Sequence, residues 1–389
     1  MSAPRVVILH NRYRRHGREE RAVELHAEAL RLAGVPHQVL MRDSAEAGRA
    51  RAAVAMLSGG ADPLEVAEAT SRLGASLVHA HNMQPLLGPR ALAAAREAGA
   101  RVILQLHNFR LFCAIGVSFR FGEPCFRCHR GRTLPGLVLN CRRSLPEAAV
   151  YAAALRRQYS QVLDLVDCFV APSRYAAGQL VRLGVPPDRI EVLRHYLPDR
   201  AFASESRAHG GGFALVTGRL SAEKGVETAI DAAGLARVPL KVAGTGPLEP
   251  ELRERARRSP ATVEMLGGVE PEQLARLLRE AALVLVPSRS GESFGLAALE
   301  AMGAALPVIA ARTGALPELV GEERCVPRGD AAAMAERLRE LWRRPELRRS
   351  EGEALVSLAR ERYGRERFTR DLLDLYARVG ERQLQDFAP

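Results

Sequence analysis

Lysine is almost missing from this chain: of 56 basic residues only Lys224 and Lys241 are not arginine. A lysine is therefore a departure from background, and each raises the question of whether a compact ammonium is required there. Aromatic residues are also scarce, at 5%, with a single tryptophan. That argues against a single-stranded nucleic-acid binder, which stacks bases on aromatic platforms. No run approaches the roughly 18 apolar residues of a membrane span. The opening residues carry only the short apolar stretch Val6–Leu9 before basic residues, which reads as a buried strand and not as a secretory signal. A cytoplasmic protein is expected, with the inner face of the membrane as a further location. No G-x-x-x-x-G-K-[ST] occurs, which excludes a Walker phosphate loop.

With 389 residues and 47% hydrophobic content, the chain can bury two cores. Its net charge of +11 lies wholly in the first half: residues 1–200 hold 28 basic against 17 acidic side chains, and the rest balances. The excess is densest over residues 101–143, where eight arginines face one acid, Glu123. Nucleic acid, anionic lipid or a phosphorylated substrate would each suit such a surface, and so would a merely solvated loop.

Short apolar runs alternate with helical periodicity throughout, the pattern of βα units and parallel sheets. In the first half strands are expected at Arg5–Leu9, Gln38–Leu40, Ser76–Val78, Val102–Leu106, Cys168–Ala171 and Ile190–Leu193. Pro198–Gly212 lacks periodicity and reads as a linker. A second series follows, at Phe213–Thr217, Leu240–Ala243, Val263–Leu266, Leu283–Val286 and Pro307–Ala310. The expected fold is α/β, two Rossmann-like doubly wound domains facing across a cleft. Their bounds are 1–198, with a C-terminal helix of about 372–389 packing back onto it, and 199–371. Ligands of such sheets sit beyond the carboxyl ends of the strands.

Two loops at those ends carry chemistry. GRLSAEKG, Gly218–Gly225, sets Arg219 and Lys224 beside a coming helix N-terminus, a place suited to phosphate. An ordinary βα turn with two surface cations is the alternative. In PSRSGESFGLAALEAMG, Ser293 is expected to cap a helix whose first turn holds Gly295, freeing N–H groups for ligand oxygens. Glu300 lies eight residues after Glu292, close to two turns, so a shared helix face with about 12 Å between the acids is expected.

Together these segments resemble family 4 of the retaining glycosyltransferases, also described as group 1, which have the GT-B fold. The resemblance covers nearly the whole chain: GRLSAEKG, GTGPL at Gly244–Leu248, LGGV at Leu266–Val269, and Glu292 and Glu300 followed by EAM and LPV. It implies a nucleotide-sugar donor, UDP-linked more than GDP-linked, with Arg219 and Lys224 on its diphosphate. Glu292 would hold the transferred sugar and Glu300 the ribose. Gly218 belongs to the diphosphate loop, and backbone groups of Ser293, Phe294, Gly295 and Leu296 would meet sugar and phosphate. Gly244, Gly246, Leu266 and Val269 would border base and diphosphate. Ala305 and Ala315 stand where the family usually has glycine. No Asp-x-Asp pair is positioned at this site, so no metal cofactor is expected for catalysis.

On the first half HNRYRRHGREE is similar to the family's opening loop, with Gly17 on its first glycine, and the resemblance places His107 beside the reacting sugar. A hydrogen-bonded strand-end histidine is the alternative. Glycan, lipid-linked and natural-product acceptors are all compatible, as in polysaccharide or antibiotic biosynthesis. Peripheral membrane contact through the basic half is expected and nucleic acid is not. A nucleotide-sugar epimerase of the same fold is a further alternative. Cys113, Cys125, Cys128 and Cys141 fall within 29 residues. Their spacing admits a structural zinc, free thiols or a redox-active pair.

Overall fold

The computed structural model describes residues 4–12 and 18–385. Gly17 lies outside the described residues. The chain divides into two compact units: residues up to 118 with 125–195 and those from 368 onward, and residues 119–124 with 196–367.

The first unit is built on a six-stranded parallel sheet. Its order is His37–Asp43, Val6–Arg12, Leu77–Ala80, Arg101–Gln105, Cys168–Ala171 and Ile190–Val192. Val6 to Leu9 and Val102 to Ile103 are fully buried, as continuous apolar strands covered on both faces must be. Polar side chains start the helices where the chain turns into them. Ser144 accepts from the Glu147 N–H to open Leu145–Leu165, and Ser173 from the Ala176 N–H to open Arg174–Leu183.

The second unit repeats the plan with the order Val263–Gly267, Leu240–Ala243, Ala214–Thr217, Leu283–Val286, Val308–Ala311 and Cys325–Val326. Counted within each sheet, the orders are 2-1-3-4-5-6 and 3-2-1-4-5-6, the two common doubly wound arrangements. In each, the direction of winding reverses between the first strand and a neighbour, and the loops after those two strands diverge to leave a crevice. In the second sheet these strands are Ala214–Thr217 and Leu283–Val286, whose following loops are the two donor segments. In the first they are Val6–Arg12 and Leu77–Ala80.

Pro198–Gly212 is not a free linker. Its aperiodicity reflects two 3₁₀ turns, Asp199–Ala201 and Ala208–Gly210, and it packs as part of the second unit. Ala208 is fully buried, and the buried Arg348 guanidinium donates to the carbonyls of Ala208, His209, Leu341 and Trp342. Two short elements had no signal in the sequence: the strand Cys325–Val326 and the antiparallel pair Phe119–Arg120 and Glu123–Pro124. At two residues each they are too short to show a period.

Candidate donor and acceptor sites

Building the second unit's site starts from the backbone. The first donor loop leaves its strand at Gly218 and passes through a 3₁₀ turn, Ala222–Lys224, into the helix Val226–Ala236. The N–H groups of Arg289 and Ser290 donate to the Glu223 carbonyl at 2.9 and 3.1 Å, which joins the two donor loops directly. Gly225 makes this contact possible. Its φ is +63°, and a Cβ there would come within 2.3 Å of the Pro287 carbonyl oxygen. Gly244 and Gly246 serve the same end: a Cβ on either would strike the carbonyl of Gly218 or Leu220. Their first role is to let the loop after Ala243 lie on the loop after Thr217, with Leu220 N–H donating to Thr245 and Leu248 N–H to Leu220.

On this frame Lys224 meets Glu292. The ammonium nitrogen lies 2.6 Å from Glu292 Oε1, and the Ser288 hydroxyl donates to the same oxygen at 2.5 Å. Side-chain exposures of 29% and 16% leave both groups within reach of a ligand. Glu292 is also fixed through its main chain, since Ala315 N–H donates to its carbonyl. Arg219 pairs with Glu223 at 2.5 Å, and the Ser221 hydroxyl donates to that carboxylate at 2.6 Å. Burial pushes the Glu223 carboxyl up, but the Ser221 hydroxyl and the Arg219 guanidinium outweigh it and hold the group below the ordinary glutamate value. Both cations therefore stand at the crevice already aligned by a carboxylate.

The helix after this loop is shorter than expected. It spans Leu296–Gly303, and its N-cap is Gly295 at φ +105°, with no side-chain cap. Ser293 therefore does not cap it. Glu292 stands four residues before the first helical residue, so the two-turn spacing to Glu300 on one helix face does not exist. Only Glu300 lies on the helix, at partial exposure. Gly295 holds the left-handed conformation, which a right-handed helix cannot include, so the helix begins only after it, and a Cβ there would also meet Leu316 at 2.7 Å. Phe294 is buried with its ring 5.8 Å from Tyr363, edge to face. Leu266, Val269 and Leu296 pack partly buried against the same apolar cluster. These side chains support the loops, and contact with a ligand would fall to their backbone. Ala305, where family sequences usually carry glycine, holds φ +55°, the left-handed region that explains the usual glycine. Ala315 does not, at φ −82°.

In the first unit His107 follows the strand Arg101–Gln105 and lines a small cavity with Glu19, His81, Asn82, Gln84 and Asn108. Its imidazole is lowered to about 3, first by burial and then by His10. Asn108 donates to Glu19 at 2.7 Å, and burial raises that carboxyl. His107 belongs to a line with three further histidines, His26, His79 and His81, that sequence reading did not connect to it. Cys113, Cys125, Cys128 and Cys141 are partly buried and form no disulfide. The Cys128 thiol is pushed up to about 11 by burial and by the other three cysteines. Among the described residues the group of potential ligands whose atoms come within 4.8 Å of one another is His26, His79 and His81. The sulfurs of Cys113, Cys125, Cys128 and Cys141 do not come within that spacing as a set.

Two doubly wound sheets with paired charges at a switch point define a protein of the GT-B class. Residues 3–195 match the family described as glycosyl transferase 4-like domain, and residues 213–344 match glycosyl transferases group 1. The chain belongs to the group 1 glycosyltransferases. It is 30% identical over 231 residues to O-antigen chain mannosyltransferase C of Escherichia coli, covering 56% of this chain and 61% of that protein. It is 33% identical over 231 residues to D-inositol 3-phosphate glycosyltransferase 2 of Catenulispora acidiphila, covering 53% of each. Its matches thus span little more than half the length of these relatives. The crystal structure of Anabaena HepE with UDP and glucose has a TM-score of 0.67 at 14% identity, covering 95% of this chain and 99% of that one.

Proposed function

We propose that this chain transfers a sugar from a nucleotide diphosphate sugar to an acceptor hydroxyl with retention of anomeric configuration, and that UDP is the preferred carrier. The observation that carries the reading is the Lys224–Glu292 pair at the switch point of the second sheet. An ammonium has three donors, so Lys224 can hold Glu292 and a phosphate oxygen together. Arg219 and the N–H groups opening the helix Leu296–Gly303 add positive potential for a leaving diphosphate. Glu292 then accepts from hydroxyls of the transferred sugar, and Glu300 from the ribose. UDP as carrier is supported by the complexes of HepE with UDP and glucose, at the level of a shared fold.

The acceptor is proposed to be a glycan or lipid-linked intermediate, a class to which the O-antigen mannosyltransferase name also points. Leu134, Val138 and Leu145 are 61–73% exposed beside Arg132, Arg142 and Arg143, a pairing of apolar and cationic side chains suited to an anionic bilayer surface. The enzyme is proposed to need no metal for catalysis, since two cations of its own stand at the diphosphate position. Purified protein with UDP-sugars and acceptor should form an α-linked product from an α-linked donor in excess EDTA. Inverted product, or activity lost in EDTA and restored by Mn²⁺, would overturn the corresponding claim. Structural zinc at Cys113, Cys125, Cys128 and Cys141 is a separate proposal. It expects one zinc per chain, reduced in Cys128→Ser, and metal analysis finding none would remove it.

A further inference from the structure

The first unit contains a continuous line of five buried polar groups carried by four separate elements. His79 sits in the strand Leu77–Ala80, His81 just past it, His26 on the helix Arg18–Leu32, His107 past the strand Arg101–Gln105, and Tyr376 on the helix Arg365–Gln385. Four contacts join them. Tyr376 Oη lies 3.0 Å from His79 Nδ1 and 2.8 Å from His26 Nε2. His26 Nδ1 is 2.9 Å from His81 Nε2, and His81 Nδ1 is 2.8 Å from His107 Nε2. His26, His79 and Tyr376 are essentially inaccessible to solvent, and His81 is 2% exposed.

Hydrogen counting restricts this line severely. A neutral imidazole has one donor and one acceptor nitrogen, and a phenol donates one hydrogen while its oxygen can accept. Burial depresses the pKa of His26 and His107 to about 3 and those of His79 and His81 well below the ordinary value, so the rings are neutral. Only two arrangements then satisfy all four contacts and also use the Tyr376 hydrogen in one of them. In one, His79 donates to Tyr376, Tyr376 to His26, His26 to His81, and His81 to His107 Nε2, which leaves the His107 proton on Nδ1. In the other every bond is reversed, His107 donates from Nε2, and its Nδ1 is an acceptor. Any other arrangement sets two donors or two acceptors face to face, or leaves the Tyr376 hydrogen unbonded, in a dry interior where an unmade hydrogen bond is expensive.

We propose that Tyr376, His26 and His81 are positioning residues that fix the tautomer of His107 through one hydrogen-bonded chain reaching from the C-terminal helix to the cavity wall. The inference rests on the reading of His107 as a group beside the reacting sugar, because only then does its tautomer decide whether Nδ1 donates to or accepts from a substrate hydroxyl. It gives the C-terminal helix a chemical role besides packing: its buried phenol selects the hydrogen-bonding sense of a side chain in the candidate site.

The test is ¹⁵N NMR of the histidine rings in the full-length, ligand-free protein, assigned by single substitutions and compared with Tyr376→Phe. In the unaltered protein each of the four rings should show one protonated and one unprotonated nitrogen. In Tyr376→Phe the His107 nitrogens should move toward intermediate shifts as both tautomers become populated. The kcat should fall about tenfold, equivalent to roughly 1.4 kcal/mol in the transition state, with KM for the donor within about twofold. Mixed tautomers in the unaltered protein, which needs no variant to fold, would overturn the chain. So would His107 shifts unchanged by a folded Tyr376→Phe, or stoichiometric metal found on His26, His79 and His81. If the shifts move as expected but neither Tyr376→Phe nor His107→Ala slows the reaction, the chain stands and the catalytic reading of His107 fails.

Discussion

Acid should unfold the first unit before the second, and the histidines say by how much. His26, His79, His81, His107 and His195 all have pKa values lowered first of all by burial, and all lie in the first unit. For each, the unfolded chain binds a proton near pH 6.5 and the native state does not, so the stabilisation is complete above that value and is lost as pH falls below it. Each pH unit below 6.5 costs about 1.4 kcal/mol per histidine. At pH 5.5 the three groups with values of about 3, His26, His107 and His195, account for about 4 kcal/mol, and His79 and His81 add to the loss in the same direction. Glu19 works in the opposite sense, because burial raises its pKa and the native state gains its proton first. Glu19 offsets part of this, and a loss of about 4 kcal/mol is still a large part of the roughly 5–15 kcal/mol that stabilises ordinary domains.

The single tryptophan makes this measurable. Trp342 lies on the helix Ala331–Arg343 of the second unit, so its fluorescence reports that unit while circular dichroism reports both. Glu223, in the same unit, has a lowered pKa and loses its stabilising effect only as pH falls below about 4.5, outside the window. Urea titrations at pH 7.5 and 5.5 should show an early dichroism transition appearing at the lower pH with the Trp342 transition moving little. Equal shifts of both signals, or buried histidine rings titrating near 6.5 in the native protein, would refute the reasoning.

Lys224→Ala should lower kcat/KM by about 10²–10³, the scale of removing one preorganised transition-state contact, with an unchanged dichroism spectrum; near-normal turnover would remove its role. Glu292→Gln should keep the Ser288 contact but lose charge pairing with Lys224, weakening transfer more than nucleotide affinity, and an equal loss of both would count against a sugar contact. Binding to vesicles containing anionic lipid should fall when Leu134 and Val138 are both changed to serine, and flotation that is unaltered, or equal on neutral vesicles, would contradict the proposed surface.

Much of the frame could be read from residue order. Cys168–Ala171 and Leu283–Val286 are uninterrupted apolar runs, Leu240–Ala243 is broken only by Lys241, and the strands occupy those residues. The helix after Glu292 starts later than its residues suggest because Gly295 takes the left-handed conformation, one of several open to a glycine and not specified by local propensity. The Lys224–Glu292 pair was recognisable as two candidates but not as a pair, since the loop contact through Gly225 and Pro287 creates it. The line from Tyr376 to His107 had no signal at all: up to 350 residues separate hydrogen-bonded members, and each histidine alone reads as an ordinary buried polar group.

Isothermal titration of nucleoside diphosphates into the unaltered protein and into Lys224→Ala tests the central claim most directly. UDP should bind the unaltered protein at one site and tighter than GDP, with affinity reduced at least about tenfold by the substitution, a loss of roughly 1.4 kcal/mol. Failure of folded protein to bind any nucleoside diphosphate, or binding indifferent to Lys224, would contradict the donor site placed at the switch point of the second sheet.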